Sequence, residues 1–403
     1  MRSGTSGTGA SELFAIVLAL PLACGSSSNS SEDAGGNLHD ASDAVRLDAR
    51  DAARSGDASD SRAPLDARDV SDGEGTRDGT GSTLANGSLG AWQSLMPMPL
   101  PRANHCAVAA AGYLVVIGGN YEPDGGSFVD IDAVHVAPLR ADGSIGPWSL
   151  AGTTPSPVSG CTAAARGSTI YLVDGLYDDM TDVGTVFSAE LSAAGVLGAW
   201  ARLGPLPNGQ DAFSSSAWVA PDAPATLYAI DSSLTVTAAL TVSTTPTLGA
   251  WAEHDWLPGF LGRPEYAFTG AYVYAMGGYL SDDAGNPAVT TVHGVPLEPG
   301  GAVGGAFVTQ SLPMPITYGT AASVDDWIFI VGGKSSVFGS GEANTLSSHV
   351  GTGGQLGAWT AQTPLPEGRT DMALTLAGDF LYVTGGGYMG PGVATVFAAR
   401  VRF

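Results

Sequence analysis

Nine side chains of complementary chemistry recur at corresponding places along the chain. They are Arg102, His105, Asp211, Arg263, Glu265, Tyr266, Tyr318, Arg369 and Asp371, each at or just ahead of a short apolar run. An arginine fork grips a carboxylate with two parallel hydrogen bonds. A carboxyl group beside an arginine or histidine can give and take a proton on a bound sugar. Tyrosines offer flat faces with a polar tip. Gathered on one face, the set suits a sugar acid or another polar ligand. The competing reading is that the nine order loops by hydrogen bonds between neighbouring elements.

The elements that must position them repeat. Leu89-Gly90-Ala91-Trp92 returns as Ile145-Gly146-Pro147-Trp148, Leu197-Gly198-Ala199-Trp200, Leu248-Gly249-Ala250-Trp251 and Leu356-Gly357-Ala358-Trp359, with a worn copy at Val303-Gly304-Gly305-Ala306-Phe307. From Leu89 to Leu356 is 267 residues in five intervals, a mean near 53. A second marker keeps the beat: four apolar residues followed by Gly118-Gly119, Gly277-Gly278, Gly332-Gly333 and Gly385-Gly386. Two copies have drifted, to Asp174-Gly175 and Asp231-Ser232. A glycine pair closing an apolar strand marks crowded backbone and positive φ. A tryptophan on the same period is a large filler between repeats.

This pattern resembles kelch repeats, over about 320 of the 403 residues. The resemblance implies an all-β fold, a six-bladed kelch-type β-propeller with four antiparallel strands per blade. In the first repeat the spacing predicts strands over residues 105–111, 113–117, 133–139 and 146–150. The chain ends on what corresponds to a third strand. Its fourth strand is therefore the first one made, near residues 89–94, so that the N-terminal strand closes the last blade and no sheet edge stays open. Strand alternation puts the second-to-third loops (120–132, 176–184, 279–289, 334–344) on the face where the innermost strands begin. Long loops on a rigid scaffold carry binding.

No metal site is expected. The acidic loops around Asp178, Asp179 and Asp182 and around Asp282 and Asp283 lack the spacing of a calcium loop and read as solvated turns. His135 and His293 occupy a third-strand position where Phe187 and Phe397 stand in other repeats, a packing slot. His254 lies between Trp251 and Trp256. Cys106 and Cys161 head neighbouring innermost strands with an offset of one residue. An inter-repeat disulfide and two separate thiols both fit that placement. No cofactor is expected.

Composition sets the outer limits. The chain carries 39 acidic and 16 basic side chains, a formal charge of −23, which disfavours nucleic acid as a partner. Residues 1–24 read as an export leader, with an apolar stretch over 13–22 too short to span a bilayer comfortably. Pro21-Leu22-Ala23-Cys24 resembles a bacterial lipoprotein signal, which implies an acyl lipid on Cys24 and an outer-membrane or cell-surface address; plain secretion or a periplasmic location is the alternative. Pro21 departs from that pattern, as does Glu12 in a leader whose one basic residue is Arg2. Residues 25–83 hold no aromatic residue, 13 acidic and 6 basic side chains, and a repeated Leu-Asp-Ala-Arg-Asp at 47 and 65. Such a segment buries too little apolar surface to offset ordering, and reads as a disordered acidic stalk. Residues 84–403 form the propeller, with a net charge of −16.

Two function classes follow. One is a lipid-anchored, monomeric binding module for a glycan, peptide or protein at the long-loop face, touching membrane only through its lipid; this is the favoured reading. The other is an enzyme, because six-bladed kelch folds include a sialic-acid mutarotase. Galactose oxidase, whose propeller is also kelch-like, needs a Tyr–Cys crosslink, a second Tyr and two converging His; here His105 is the only His near the mouth. The sialidase Ser-x-Asp-x-Gly-x-Thr-Trp box is absent.

Overall fold

The structure, a computed structural model, describes residues 86–123, 126–173, 175, 185–206, 216–220, 225–230, 237–242, 252–254, 257, 261–280, 285–298, 302–387 and 391–402. The chain divides into two units, Met1–Ser71 and Asp72–Phe403. The described residues all belong to the second. The leader, Cys24, the stalk, Asp211, the side chains of Trp251, His254 and Trp256, and the acidic loops at 177–182 and 281–284 lie outside them.

Local sequence explains the strands. Leu114, Val115, Val116 and Ile117 are all fully buried, as are Ile328, Phe329, Ile330 and Val331. An unbroken apolar run of this length is a strand covered on both faces. The turns ahead of such runs are tight, and Ala111 and Gly112 both have positive φ, as a two-residue hairpin requires.

Five antiparallel four-stranded sheets are built from strands in chain order, the first interrupted by a separate two-stranded ribbon of Asn120–Tyr121 and Val129–Asp130. The first comprises Cys106–Ala110, Tyr113–Ile117, Ala133–Pro138 and Ser149–Thr153. The second comprises Thr162–Arg166, Thr169–Val173, Thr185–Glu190 and Ala201–Pro205. The third runs from Ser216–Val219 to Ala252–His254, and the fourth from Glu265–Phe268 to Phe307–Val308. The fifth runs from Thr317–Val324 to Thr360–Ala361. A closing sheet is made differently. Ala373–Ala377, Phe380–Thr384 and Val396–Arg402 are completed by two N-terminal pieces, Ser88–Leu89 and Gln93–Ser94. Innermost strands lie side by side between the first and second, second and third, fourth and fifth, and fifth and closing sheets, and Ala373–Ala377 returns to Cys106–Ala110. The arrangement is a β-propeller.

Two details correct the sequence expectation. Four strands per blade holds for five self-contained sheets, whereas the closing sheet has five, because Gly90-Ala91-Trp92 interrupts its outer strand. The Leu-Gly-Ala-Trp corner also does not belong to the outermost strand. Ile145 only bridges back to Leu139, and the strand proper starts at Ser149 rather than residue 146. That strand carries a bulge at Ala151, which is left unpaired between the Val134–Gly152 and His135–Leu150 pairs.

The corner's tryptophan reaches the preceding sheet. Trp148 donates its indole N–H to the Met96 carbonyl at 3.1 Å, Trp200 to Thr153 at 2.8 Å, and Trp359 to Gln310 at 3.2 Å. Trp92 donates to Thr363 at 3.0 Å, across 271 residues of sequence. The indole is therefore a tether as well as a filler.

The glycine pairs clip the sheets together at their inner ends. Gly119, Gly278, Gly333 and Gly386 donate to the carbonyls of Val158, Ile316, Arg369 and Arg102, at 2.7 to 3.0 Å. The preceding glycine has positive φ in all four pairs, and a Cβ there would collide with that same carbonyl. The last clip, Gly386 to Arg102, joins the closing sheet to the first.

Candidate functional site

At the head of five of the six innermost strands, all those whose approach is described, stands one residue with a left-handed backbone. These are Asn104 (φ 53), Gly160 (φ 64), Arg263 (φ 50), Tyr318 (φ 61) and Asp371 (φ 52). For Arg and Tyr that conformation is unfavourable, and such strain persists only where the surroundings over-determine it. Hydrogen bonds between sheets do so here: Gly160 N–H to Asn104 O at 2.8 Å, Asn104 N–H to Asp371 O at 3.0 Å, Asp371 N–H to Tyr318 O at 3.2 Å, and the Thr317 hydroxyl to Arg263 O at 3.0 Å. The five residues form a hoop around one end of a cavity of about 490 Å³, which is lined by the innermost strands of all the sheets.

One arc of the hoop is charged and aromatic. Arg263 Nη1 lies 3.5 Å from Asp371 Oδ1, with Arg263 partly open to solvent and Asp371 buried. The Arg263 guanidinium stands 5.0 Å from the Tyr318 ring centroid, and Lys334 Nζ stands 4.1 Å from it. Tyr279 stacks on Tyr318 at 6.3 Å. Burial raises the Asp371 carboxyl above its ordinary range, opposed by Arg263, and its Oδ2 has no hydrogen-bond partner. Burial lowers the Lys334 ammonium, with Asp371 acting against it.

Just inside stands Glu265, 2% exposed. Its Oε1 accepts the Gly319 N–H at 2.7 Å, and its Oε2 has no hydrogen-bond partner. Burial pushes its pKa up to about 8, against the pull of backbone donors. The carboxyl is therefore protonated at neutral pH. Tyr266 lines the cavity and packs with Tyr228 and Phe268.

His105 also lines the cavity but serves the seam between the first and closing sheets. Its Nε2 meets Thr384 Oγ1 at 2.8 Å. Burial, reinforced by Arg102, lowers its pKa to about 3, so it is neutral. Arg102 and Arg369 do not line the cavity. Arg102 is fully buried, with Nη1 donating to Gly118 O at 2.6 Å and Ala133 O at 3.0 Å and Nη2 against His135 Nδ1. Arg369 donates to Gly385 O and Thr395 Oγ1, both at 2.9 Å, pairs with Glu367, and lies over the Phe397 ring. In both sheets the arginine grips the first glycine of its own pair. The third-strand slot beside it takes His in one sheet and Phe in the other, since either ring packs against a guanidinium.

Of the nine sequence candidates the mouth thus gathers Arg263, Glu265, Tyr266, Tyr318, Asp371 and His105. Asp211 lies outside the described residues. Lys334 and Tyr279 were missed. Both directly follow a glycine pair, and that position was the available signal. Among the described residues no group of three or more His, Cys, Asp or Glu comes together as a metal site.

Cys106 and Cys161 form a disulfide with Cα atoms 5.7 Å apart, inside the usual span. The one-residue offset that left this pairing open is what the seam requires. The residue that heads one innermost strand faces the residue just ahead of the next.

Fold and site together define a β-propeller with a polar, strained mouth at one end of its central cavity. No protein-family model and no curated protein matches the chain. Among solved structures, one described as "Structure of YjhT" aligns with a TM-score of 0.54 at 12% identity, over 75% of this chain and 95% of that one. At that identity the likeness is one of fold.

Proposed function

We propose that the domain is a ligand-binding propeller whose site is the mouth built by Arg263, Tyr318 and Asp371, with the buried Lys334 packed against the Tyr318 ring behind it. The structure has five four-stranded blades where the sequence predicts six; in this reading the five-stranded composite closing sheet takes the place of the sixth. The observation that carries the reading is the charge at the mouth. Arg263 stands at the cavity rim, 19% exposed, with its guanidinium over the Tyr318 ring and 3.5 Å from Asp371, whose carboxyl burial pushes toward the neutral form. In a chain of net charge −23 this is a local positive spot in an adverse field. It fits an anionic group on a glycan, peptide or protein partner. The lipid on Cys24, the stalk over 25–83 and a cell-surface or outer-membrane address belong to the same proposal, as the tether that presents the mouth. A glycan and peptide array probed with the propeller tests it. Binding that Arg263→Ala abolishes is the expected result.

A second reading, a sialic-acid mutarotase, is favoured by one feature. Glu265 holds a proton at neutral pH and its Oε2 lacks a partner beside the cavity, as a general acid on a sugar ring oxygen would need. Mutarotation of N-acetylneuraminate followed by NMR decides it. A rate unchanged by the protein, or by Glu265→Gln, removes the enzyme.

A further inference from the structure

The second-to-third loop of the first sheet folds into the ribbon of Asn120–Tyr121 and Val129–Asp130, with Tyr121 opposite Val129. The ribbon is fixed to the mouth. Ala103 and Asn120 exchange both backbone hydrogen bonds, at 2.8 and 2.9 Å, and the side-chain amide of the hoop residue Asn104 donates to Asn120 Oδ1 at 3.3 Å. At its base the Ile131 N–H donates to Gly119 O at 2.8 Å. The ribbon therefore stands beside the hoop on a firm footing. Its surface combines two features. Phe128 and Val129, neighbours in sequence, are 52% and 42% exposed. Residues 120–132 also carry Glu122, Asp124, Asp130 and Asp132 and no Lys or Arg. Glu122 and Asp130 are partly exposed, and Asp132 is exposed. Neighbouring exposed apolar side chains rimmed by charge mark an interaction surface. A polyamine would meet the carboxylates and leave Phe128 and Val129 in water. An anionic lipid surface would cover the apolar pair but repel an acidic ribbon on a chain of net charge −23. A polypeptide segment that interleaves basic and apolar side chains uses both features, since apolar cover and opposite charge each favour contact.

We propose that this ribbon docks a basic polypeptide segment, with the partner's cations against Glu122, Asp130 and Asp132 and its apolar side chains against Phe128 and Val129. The inference goes beyond the anionic ligand proposed for the mouth and stands or falls apart from it. The charge of the whole chain draws such a partner in, and the apolar pair holds it.

The test is titration calorimetry of the full chain with three acetylated and amidated hexapeptides: alternating Lys and Leu, alternating Glu and Leu, and alternating Lys and Ser. The Lys–Leu peptide should bind, the Glu–Leu peptide should not, and the Lys–Ser peptide should bind about tenfold more weakly. Phe128→Ser with Val129→Ser, a surface change whose urea midpoint should match the native chain, should weaken the Lys–Leu peptide about tenfold. Phe338→Ser, at an 89% exposed side chain of another loop, should leave that affinity unchanged. Glu122→Gln should weaken it about threefold, and the difference should shrink as salt is raised. Equal affinity for the Lys–Leu and Glu–Leu peptides overturns the inference, as does equal weakening by Phe338→Ser and by the ribbon variant. Capture on phosphatidylcholine vesicles without peptide binding assigns the surface to lipid and overturns it too. No binding of the Lys–Leu peptide ends it outright, and leaves the anion-binding mouth standing.

Discussion

Two seams between neighbouring sheets use the same pair of repeat positions and close them with different chemistry. Between the first and second sheets, Cys106 reaches across to Cys161 and the link is covalent. Between the fourth and fifth, Glu265 stands where Cys106 stands, Gly319 stands where Cys161 stands, and the link is one hydrogen bond of 2.7 Å. The cystine seam responds to reductant and not to protons in the ordinary range. The carboxyl seam responds to protons and not to reductant. Geometry explains why both solutions fit. The two positions face each other wherever innermost strands adjoin, close enough for a disulfide or for a carboxyl oxygen on a backbone N–H. The second seam adjoins the charged arc of the mouth, and Glu265 is the one member of the pair with an oxygen still unsatisfied.

The sharpest way to break this comparison is to reduce it to one chemistry. Opening the cystine by Cys106→Ser with Cys161→Ser should cost about 4 kcal/mol, the loop-closure value for its 55-residue separation, read as a lower urea midpoint. Conversely, Glu265→Cys with Gly319→Cys should form a disulfide on oxidation, scored by loss of thiol titre. Free thiols in a folded double variant would show that the two seams are not equivalent.

Next in size are the arginine grips. Arg102→Ala and Arg369→Ala should each cost about 3 kcal/mol, because each strands buried carbonyls that a charged donor satisfied. Comparable losses in chemical denaturation are expected, since the two residues do the same work in different sheets. A loss in one alone would break that symmetry.

Glu265 comes third. Glu265→Ala leaves the Gly319 N–H unpaired and should cost about 1–3 kcal/mol. Its pH signature is more specific. With a folded pKa of about 8 against an ordinary 4.5, the folded protein keeps a proton that the unfolded chain releases between those values. Stability therefore falls as pH rises from about 4.5 to about 8. His105 works in the opposite sense between about 3 and 6.5, where the unfolded chain binds the extra proton. Above 6.5 the Glu265 slope is no longer masked by it. Urea midpoints measured from pH 6.5 to 8 should decline in the native chain and decline less in Glu265→Gln.

Smallest is Trp359→Phe, expected to cost about 1 kcal/mol for the lost indole hydrogen bond to Gln310. The worn repeat, with Phe307 already at that place, shows that the corner tolerates the change. There Phe307 packs edge-on against Tyr272 and Tyr274 instead.

Much of this was legible in the sequence because it is local or periodic. The apolar runs located the buried second strands to within about three residues, matching Tyr113–Ile117 and Tyr272–Met276 end to end, and the glycine pairs predicted positive φ and crowding. The unmatched third strand predicted that residues 89–94 would complete the closing sheet, where Ser88–Leu89 and Gln93–Ser94 do so. What was not legible depends on which way a side chain turns. Arg102 and Arg369 looked like ligand groups by type and place, yet they turn into their own sheets toward Gly118 and Gly385. Arg263, two residues ahead of its strand, turns to the mouth. The left-handed backbone at position 263 sets that direction, and nothing in the residue type announces it, whereas Gly160 at the same place would have suggested it. Lys334 and Tyr279 were hidden for a related reason: the positive φ of the preceding glycines redirects the chain back over the mouth.

By itself the sequence determined the repeat, the strand order, the circular closure and the acidity, because these follow from spacing, alternation and composition. Only the tertiary structure decided which residues meet. The cystine and the Glu265 seam join positions 55 and 54 residues apart in different sheets, and the Tyr318 ring meets Arg263 and Tyr279 of the neighbouring sheet. Their contact depends on the twist and stacking of whole sheets, and the pKa of Glu265 on the burial that stacking creates.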